Sequence, residues 1–161
     1  MLLSERGQSL IELVVVVAVI VIIVGALVFA TIASLRNSDL AKNQAQATKL
    51  AQEGLEKVRS LRDRNGSVQY QTGTGSNDHT NYFNDLWAIS PSTPFYFNGD
   101  TLNGGAAVES IAPYFKRQIL IVDEGSSGTT QKRITAVVSW SDYAGTHESR
   151  LTTILRNTSN P

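Results

Sequence analysis

The chain has 161 residues, 42% of them hydrophobic, with 14 Lys and Arg set against 14 Asp and Glu, 2 His and no Cys. Balanced charge leaves no overall field to draw in nucleic acid or anionic lipid, and the lack of Cys excludes a disulfide framework, a thiolate metal site and a thiol nucleophile. The length allows one modest domain.

The first element is a short polar leader, Met1 to Arg6, closed by Gly7. Gln8-Ser9-Leu10-Ile11-Glu12 follows, and then an uncharged apolar run from Leu13 to Leu35. A run of about 18 or more apolar residues is enough to cross ~30 Å of hydrocarbon as a helix. A charged side chain at the centre of a membrane helix costs about 2.5–3.5 kcal/mol, and Glu12, at the head of that run, is costly enough to call for a partner or a task. A secretory signal peptide wants a net positive leader and a shorter apolar stretch. Here Arg6 is offset by Glu5, although Ala30-Thr31-Ile32-Ala33 leaves a signal-peptidase cut open as an alternative. A plain single-span anchor, with Glu12 merely at the interface, is the other alternative.

Gly7 followed by Gln8-Ser9-Leu10-Ile11-Glu12-Leu13-Val14 resembles the N-terminus of type IV prepilins and pseudopilins. The resemblance is closest over residues 4 to 35, and Leu50 to Arg59 with the late strands resembles minor pilins more loosely. It implies that a prepilin peptidase cuts after Gly7. Gln8, where the family most often has Phe, then becomes the new N-terminus and the residue to be N-methylated, and Glu12 becomes the fifth residue of the mature chain. The implied organisation is a leader 1–7, a transmembrane and filament-core helix half 8–35, an amphipathic helix half 36–64, a variable loop region 65–110 and an antiparallel sheet 111–161.

The function implied is that of a structural subunit, a minor or major pilin of a type IV pilus, serving cell adhesion, motility or DNA uptake. A pseudopilin of a type II secretion or competence system is the alternative. From another class comes a monomeric single-span membrane-anchored adhesion or receptor domain. The partners implied are other pilins or copies of this chain in a helical filament, the prepilin peptidase, an inner-membrane assembly platform and the membrane. The chain would be a single-pass membrane protein before assembly and part of a cell-surface pilus, or of a periplasmic pseudopilus, afterwards. Arg6 lies before the span and Arg36, Lys42 and Lys49 after it, so positive-inside counting points one way. The resemblance, with a cytoplasmic leader and an external C-terminal domain, points the other.

The helical pattern continues beyond the apolar run. No Pro occurs before Pro91, and Leu40, Ala47, Ala51, Val58 and Leu61 recur at helical steps. A helix from Gln8 to about Arg62 would be ~80 Å long at 1.5 Å per residue, so only its first half can lie in lipid. Leu50, Leu55, Val58 and Leu61 are predicted to face a globular head, with Glu53 and Lys57 forming an i,i+4 pair on the solvent side. Gly25 and Gly54 each cost about 1 kcal/mol in a helix interior. Gly25 offers a neighbouring helix a close approach, as small residues do in membranes. Asp63-Arg64-Asn65-Gly66 is the stop signal.

The segment from Ser67 to Gly105 is rich in Gly, Asn, Ser and Thr and is read as an ordered loop region. Tyr82, Phe83, Leu86 and Trp87 suggest one inward turn, and Phe95-Tyr96-Phe97 a short edge strand. Three strands follow, Phe115 to Asp123, Lys132 to Ser141 and Glu148 to Arg156. Gly125-Ser126-Ser127-Gly128 and Asp142-Tyr143-Ala144-Gly145 are their turns. Ile134, Ala136, Val138 and Trp140 share one face, with Trp140 as core. The fold class is α+β and pilin-like, a long N-terminal helix packed against a small antiparallel sheet.

Catalysis finds no motif. His79 and His147 stand in polar sequence, and no nucleophile elbow, zincin or phosphate-loop spacing occurs. The chain is therefore read as not an enzyme, with no cofactor and no resident metal. Asp123-Glu124 with Asp142 is the one acidic set that convergence of strand ends would turn into a Ca²⁺ site. No basic stripe with interleaved aromatics marks a sequence-specific nucleic-acid surface.

Overall fold

A computed structural model describes residues 4–64, 67–71, 78–82, 86–87, 94–112, 114–124 and 131–157. Among the described residues there is one α-helix, α1, which spans Ser4–Arg64 and ends where the Asp-Arg-Asn-Gly stop was expected. Asn65-Gly66 itself lies outside the described residues. The chain divides into two units between Asn43 and Gln44.

In the first unit α1 exposes apolar side chains all round. From Leu10 to Leu35 every large hydrophobic is at least 41% accessible. In the second unit α1 buries Ala47, Ala51, Leu55, Val58 and Leu61, a stripe with steps of four, four, three and three that faces the sheet. Leu50 packs partly against the same core. Leu40, placed on this stripe by its spacing, belongs to the first unit and is exposed. Lys42, Lys49, Glu53 and Glu56 are exposed, and Lys57 Nζ lies 3.7 Å from Glu53, the expected i,i+4 pair.

Among the described residues the sheet has eight strands, β1 (Ser67–Gln71), β2 (Asp78–Tyr82), β3 (Phe95–Asn98), β4 (Thr101–Gly104), β5 (Glu109–Ala112), β6 (Phe115–Asp123), β7 (Gln131–Asp142) and β8 (Gly145–Arg156). Their spatial order is β2-β1-β4-β3-β6-β7-β8, with β5 also paired to β6. Every pairing is antiparallel except β1 with β4. A long helix packed on a small, predominantly antiparallel sheet is the α+β architecture expected.

The strands of the C-terminal third agree closely with expectation. β6 has the predicted bounds, and β7 and β8 are extended by a few residues. Ile134, Ala136, Val138 and Trp140 are all buried, as are Phe115, Ile119 and Ile121 opposite them on β6. The other face is solvated, with Thr135 Oγ1 and Thr152 Oγ1 3.0 Å apart across the β7–β8 pair. Gly145 closes the second turn at φ +131°, a backbone angle that favours Gly. The Gly125-to-Gly128 turn lies outside the described residues.

The segment expected to be a loop region, 65–110, instead carries β1 to β4 and the start of β5. These strands are four or five residues long and rich in Asn, Gln, Thr and Asp. Strand preference depends strongly on the neighbours that a segment packs against, and these segments are too short and polar to announce an alternation of their own. Phe95–Asn98 is not an edge strand. It lies between β4 and β6, with Phe95 paired to Ile119, and Phe95 and Phe97 are buried. Leu86 is buried and Trp87 partly so, an inward turn as predicted, while Phe83 lies outside the described residues.

Gly54 sets the closeness of helix and sheet. A Cβ there would stand 2.9 Å from Arg117 Cδ and 3.3 Å from Ile119 Cδ1, whereas at Gly25 it would meet nothing within 4 Å. Gly54→Val is expected to cost about 1–3 kcal/mol through overpacking, read as a lower thermal midpoint in circular dichroism. Gly25→Ala, which relieves a helix-interior glycine and meets no neighbour, should not lower that midpoint.

Candidate functional site

The apolar half of α1 and its carboxylate form the candidate assembly site. Gly7 and Gln8 are already within α1, so the expected processing point lies on helical backbone. Glu12 is exposed. It sits among Leu10, Ile11 and Leu13, each about two-thirds accessible, and no ion pair involves it among the described residues. The helix is long and apolar enough to cross a membrane, and none of its apolar window is buried within the protein. Gly25 leaves an open notch on this surface. Uncovered apolar area on this scale marks an interaction surface or a membrane segment, and a lone carboxylate within it is the feature that chemistry must account for.

The head holds a buried ionic node that motif reading did not find. Arg117 on β6 is 1% exposed. Its Nε and Nη2 donate to the two carboxylate oxygens of Glu109, each at 2.8 Å, and its Nη1 donates to the Leu50 carbonyl of α1, also at 2.8 Å. Glu53 lies 3.6 Å from Arg117, and Lys57 lies 3.7 Å from Glu109. Both cations sit over the Phe97 ring, at 5.3 Å for Lys57 and 5.6 Å for Arg117. The forked guanidinium thus ties helix, β5 and β6 together through the gap that Gly54 leaves open. A second buried cation, Lys132, pairs with Asp123 at the far end of the β6–β7 ladder. The signal in the sequence was Arg117 at an inward position of an otherwise apolar strand, together with Gly54 inside a helix.

The acidic set considered for Ca²⁺ does not converge. Asp123 pairs with Lys132 and Glu124 with Arg133 at one end of β7, and Asp142 stands at the other end. Among the described residues no three His, Asp or Glu side chains are arranged to hold a metal.

His147 is also not isolated. It lies on β8, with Nε2 3.1 Å from Asp142 Oδ1 and its ring stacked on Trp140 at 5.4 Å and 24°. Phe115 closes the other side of the indole at 6.0 Å. His79 falls on β2.

Burial pushes the Asp142 carboxyl up, but hydrogen bonds from the Ala144 N–H and His147, the charge of His147 and the Gly145 N–H outweigh it and hold the group below its ordinary range. A depressed carboxylate stabilises the fold above its unfolded pKa, about 3.9, and loses that contribution as pH falls through the lower folded value. Acid titration of Trp fluorescence should therefore show a step below about pH 4, and Asp142→Asn should remove it.

Comparison with protein-family models, with curated proteins and with solved structures gave no match to this chain.

Proposed function

We propose that this chain is a filament-forming subunit of the type IV pilin kind, inserted in a membrane by α1, cleaved after Gly7 and polymerised through the apolar half of that helix. The reading is carried by one observation: Glu12 lies exposed and unpaired among the described residues at the head of a membrane-length helix whose apolar surface is covered by nothing in the protein.

Cleavage at Gly7 would expose an α-amino group on Gln8, positively charged at neutral pH. Within one subunit that amine and Glu12 are four residues apart. In a stack of parallel helices the Glu12 carboxylate of one subunit can meet the amine of the next. Two charges stranded among apolar side chains are costly apart and acceptable together, so the pair would set the axial register while apolar packing supplies the association. Gly25, with open space over its Cα, gives a neighbouring helix a place to approach closely.

The test is recovery. Shearing cells should release the protein in filaments if it belongs to a surface pilus, whereas a pseudopilin would stay with the envelope and be captured there by crosslinking to copies or partners of the same kind. Extraction by detergent as a monomer, with no crosslinks through α1, would contradict both readings and favour a plain anchored domain.

A further inference from the structure

The solvated face of the sheet carries an open cavity of about 480 Å³ where β6, β7 and the β7–β8 turn meet. It is lined by Tyr114, Lys116, Ser139, Trp140, Ser141 and Thr146. The volume is within the range of small-molecule sites, and the lining chemistry is narrow. Tyr114 is 70% exposed, which leaves its ring face accessible from solvent. Ser139, Ser141 and Thr146 bring three hydroxyls to one patch, with Ser141 Oγ and Thr146 Oγ1 3.1 Å apart. Lys116 is exposed and makes no ion pair among the described residues. Ser139 is its direct partner on β7, so the two side chains share this face. The lining contains no carboxylate and no aliphatic side chain apart from hydrocarbon stems.

We propose that this cavity binds an acidic saccharide. The ring of Tyr114 would take the C–H face of a sugar, the three hydroxyls would exchange hydrogen bonds with its hydroxyl groups, and Lys116 would pair with a uronate carboxylate. An aliphatic ligand would offer no partner to the three hydroxyls and Lys116. Nucleic acid needs a track of cations along its backbone, and here Lys116 stands without such a track. Arg150, on the same face of β8, is held at both ends by Glu148 at 2.8 and 3.1 Å. Glu148 faces Ser139 across the β7–β8 pair, and that same contact with Arg150 neutralises it. The inference rests on the head alone and is independent of whether α1 assembles.

The experiment titrates the full chain in mild detergent with oligogalacturonate, with a neutral galacto-oligosaccharide of equal length and with a single-stranded oligonucleotide, using calorimetry. Oligogalacturonate should bind about tenfold or more tightly than the neutral oligomer. Lys116→Ala should bring the two to the same affinity, and Tyr114→Ala should weaken both by tenfold or more. Both side chains are exposed, so an unchanged thermal midpoint will show that the variants are folded. No saccharide binding at millimolar concentration, binding indifferent to both substitutions, or tighter binding of the oligonucleotide would each overturn the proposal.

Discussion

Glu12→Ala and Glu12→Lys are expected to leave the protein in the membrane fraction, processed to the same mature start, yet absent from assembled filaments. The apolar run from Leu13 to Leu35 is untouched by either change, so insertion should not suffer. Removing the Glu12 carboxylate strands the amine proposed to pair with it in a desolvated setting, and truncating one member of such a pair costs about 2–5 kcal/mol. Applied to each subunit addition, that is roughly a thirtyfold loss of affinity or more, enough to halt growth of a polymer. Glu12→Lys should be worse than Glu12→Ala because it sets like charges together. Filaments containing either variant in normal proportion, measured by quantitative mass spectrometry of the sheared fraction, would refute this role for the carboxylate.

The largest loss of stability is expected at Glu109. Glu109→Leu would leave the Arg117 guanidinium, 1% exposed, with the Leu50 carbonyl at 2.8 Å, Glu53 at 3.6 Å and the Phe97 ring at 5.6 Å as its remaining partners. Breaking a buried pair by deleting one partner costs about 3–5 kcal/mol, and replacing the whole pair by well-packed apolar groups costs far less. The paired change Arg117→Met with Glu109→Leu is therefore expected to be more stable than Glu109→Leu alone, since the stranded charge goes with the arginine. Urea unfolding of the full chain in mild detergent, followed by Trp fluorescence, measures both. A loss under about 1 kcal/mol for Glu109→Leu, the range of an exposed ion pair, would show that the node is not what holds the helix to the sheet.

What could be read from the amino-acid order was what repeats. The helix was legible because apolar residues at steps of three and four run without Pro through residue 61, and because Asp63-Arg64-Asn65-Gly66 stops them. β6 to β8 were legible because inward Ile134, Ala136, Val138 and Trp140 alternate with polar neighbours. β3 was legible as a strand though not as an inner one, and β1, β2 and β4 were not legible, since their pairing partners supply the order that their own composition does not show. Phe95 and Phe97, central to the core, looked like an edge because the neighbouring β4 is only Thr-Leu-Asn-Gly. The Arg117 node was hidden for a different reason. It joins residues 50, 109 and 117, and no local spacing connects a helix carbonyl to a guanidinium far along the chain. Gly54 is intelligible only once that side chain lies across it. In the candidate assembly site, Gly7, Gln8, Glu12 and Gly25 were legible in the sequence and fall on one helix, but the meeting proposed for Glu12 and the Gln8 amine would be a property of two chains.

The most direct test of the account is the intact mass of the protein isolated from its native membrane or filament. The account predicts a chain that begins at Gln8, with or without one added methyl group, and a Gly7→Leu variant that keeps the mass of the full precursor. A native protein that begins at Met1, or at a residue beyond Leu35, would contradict it.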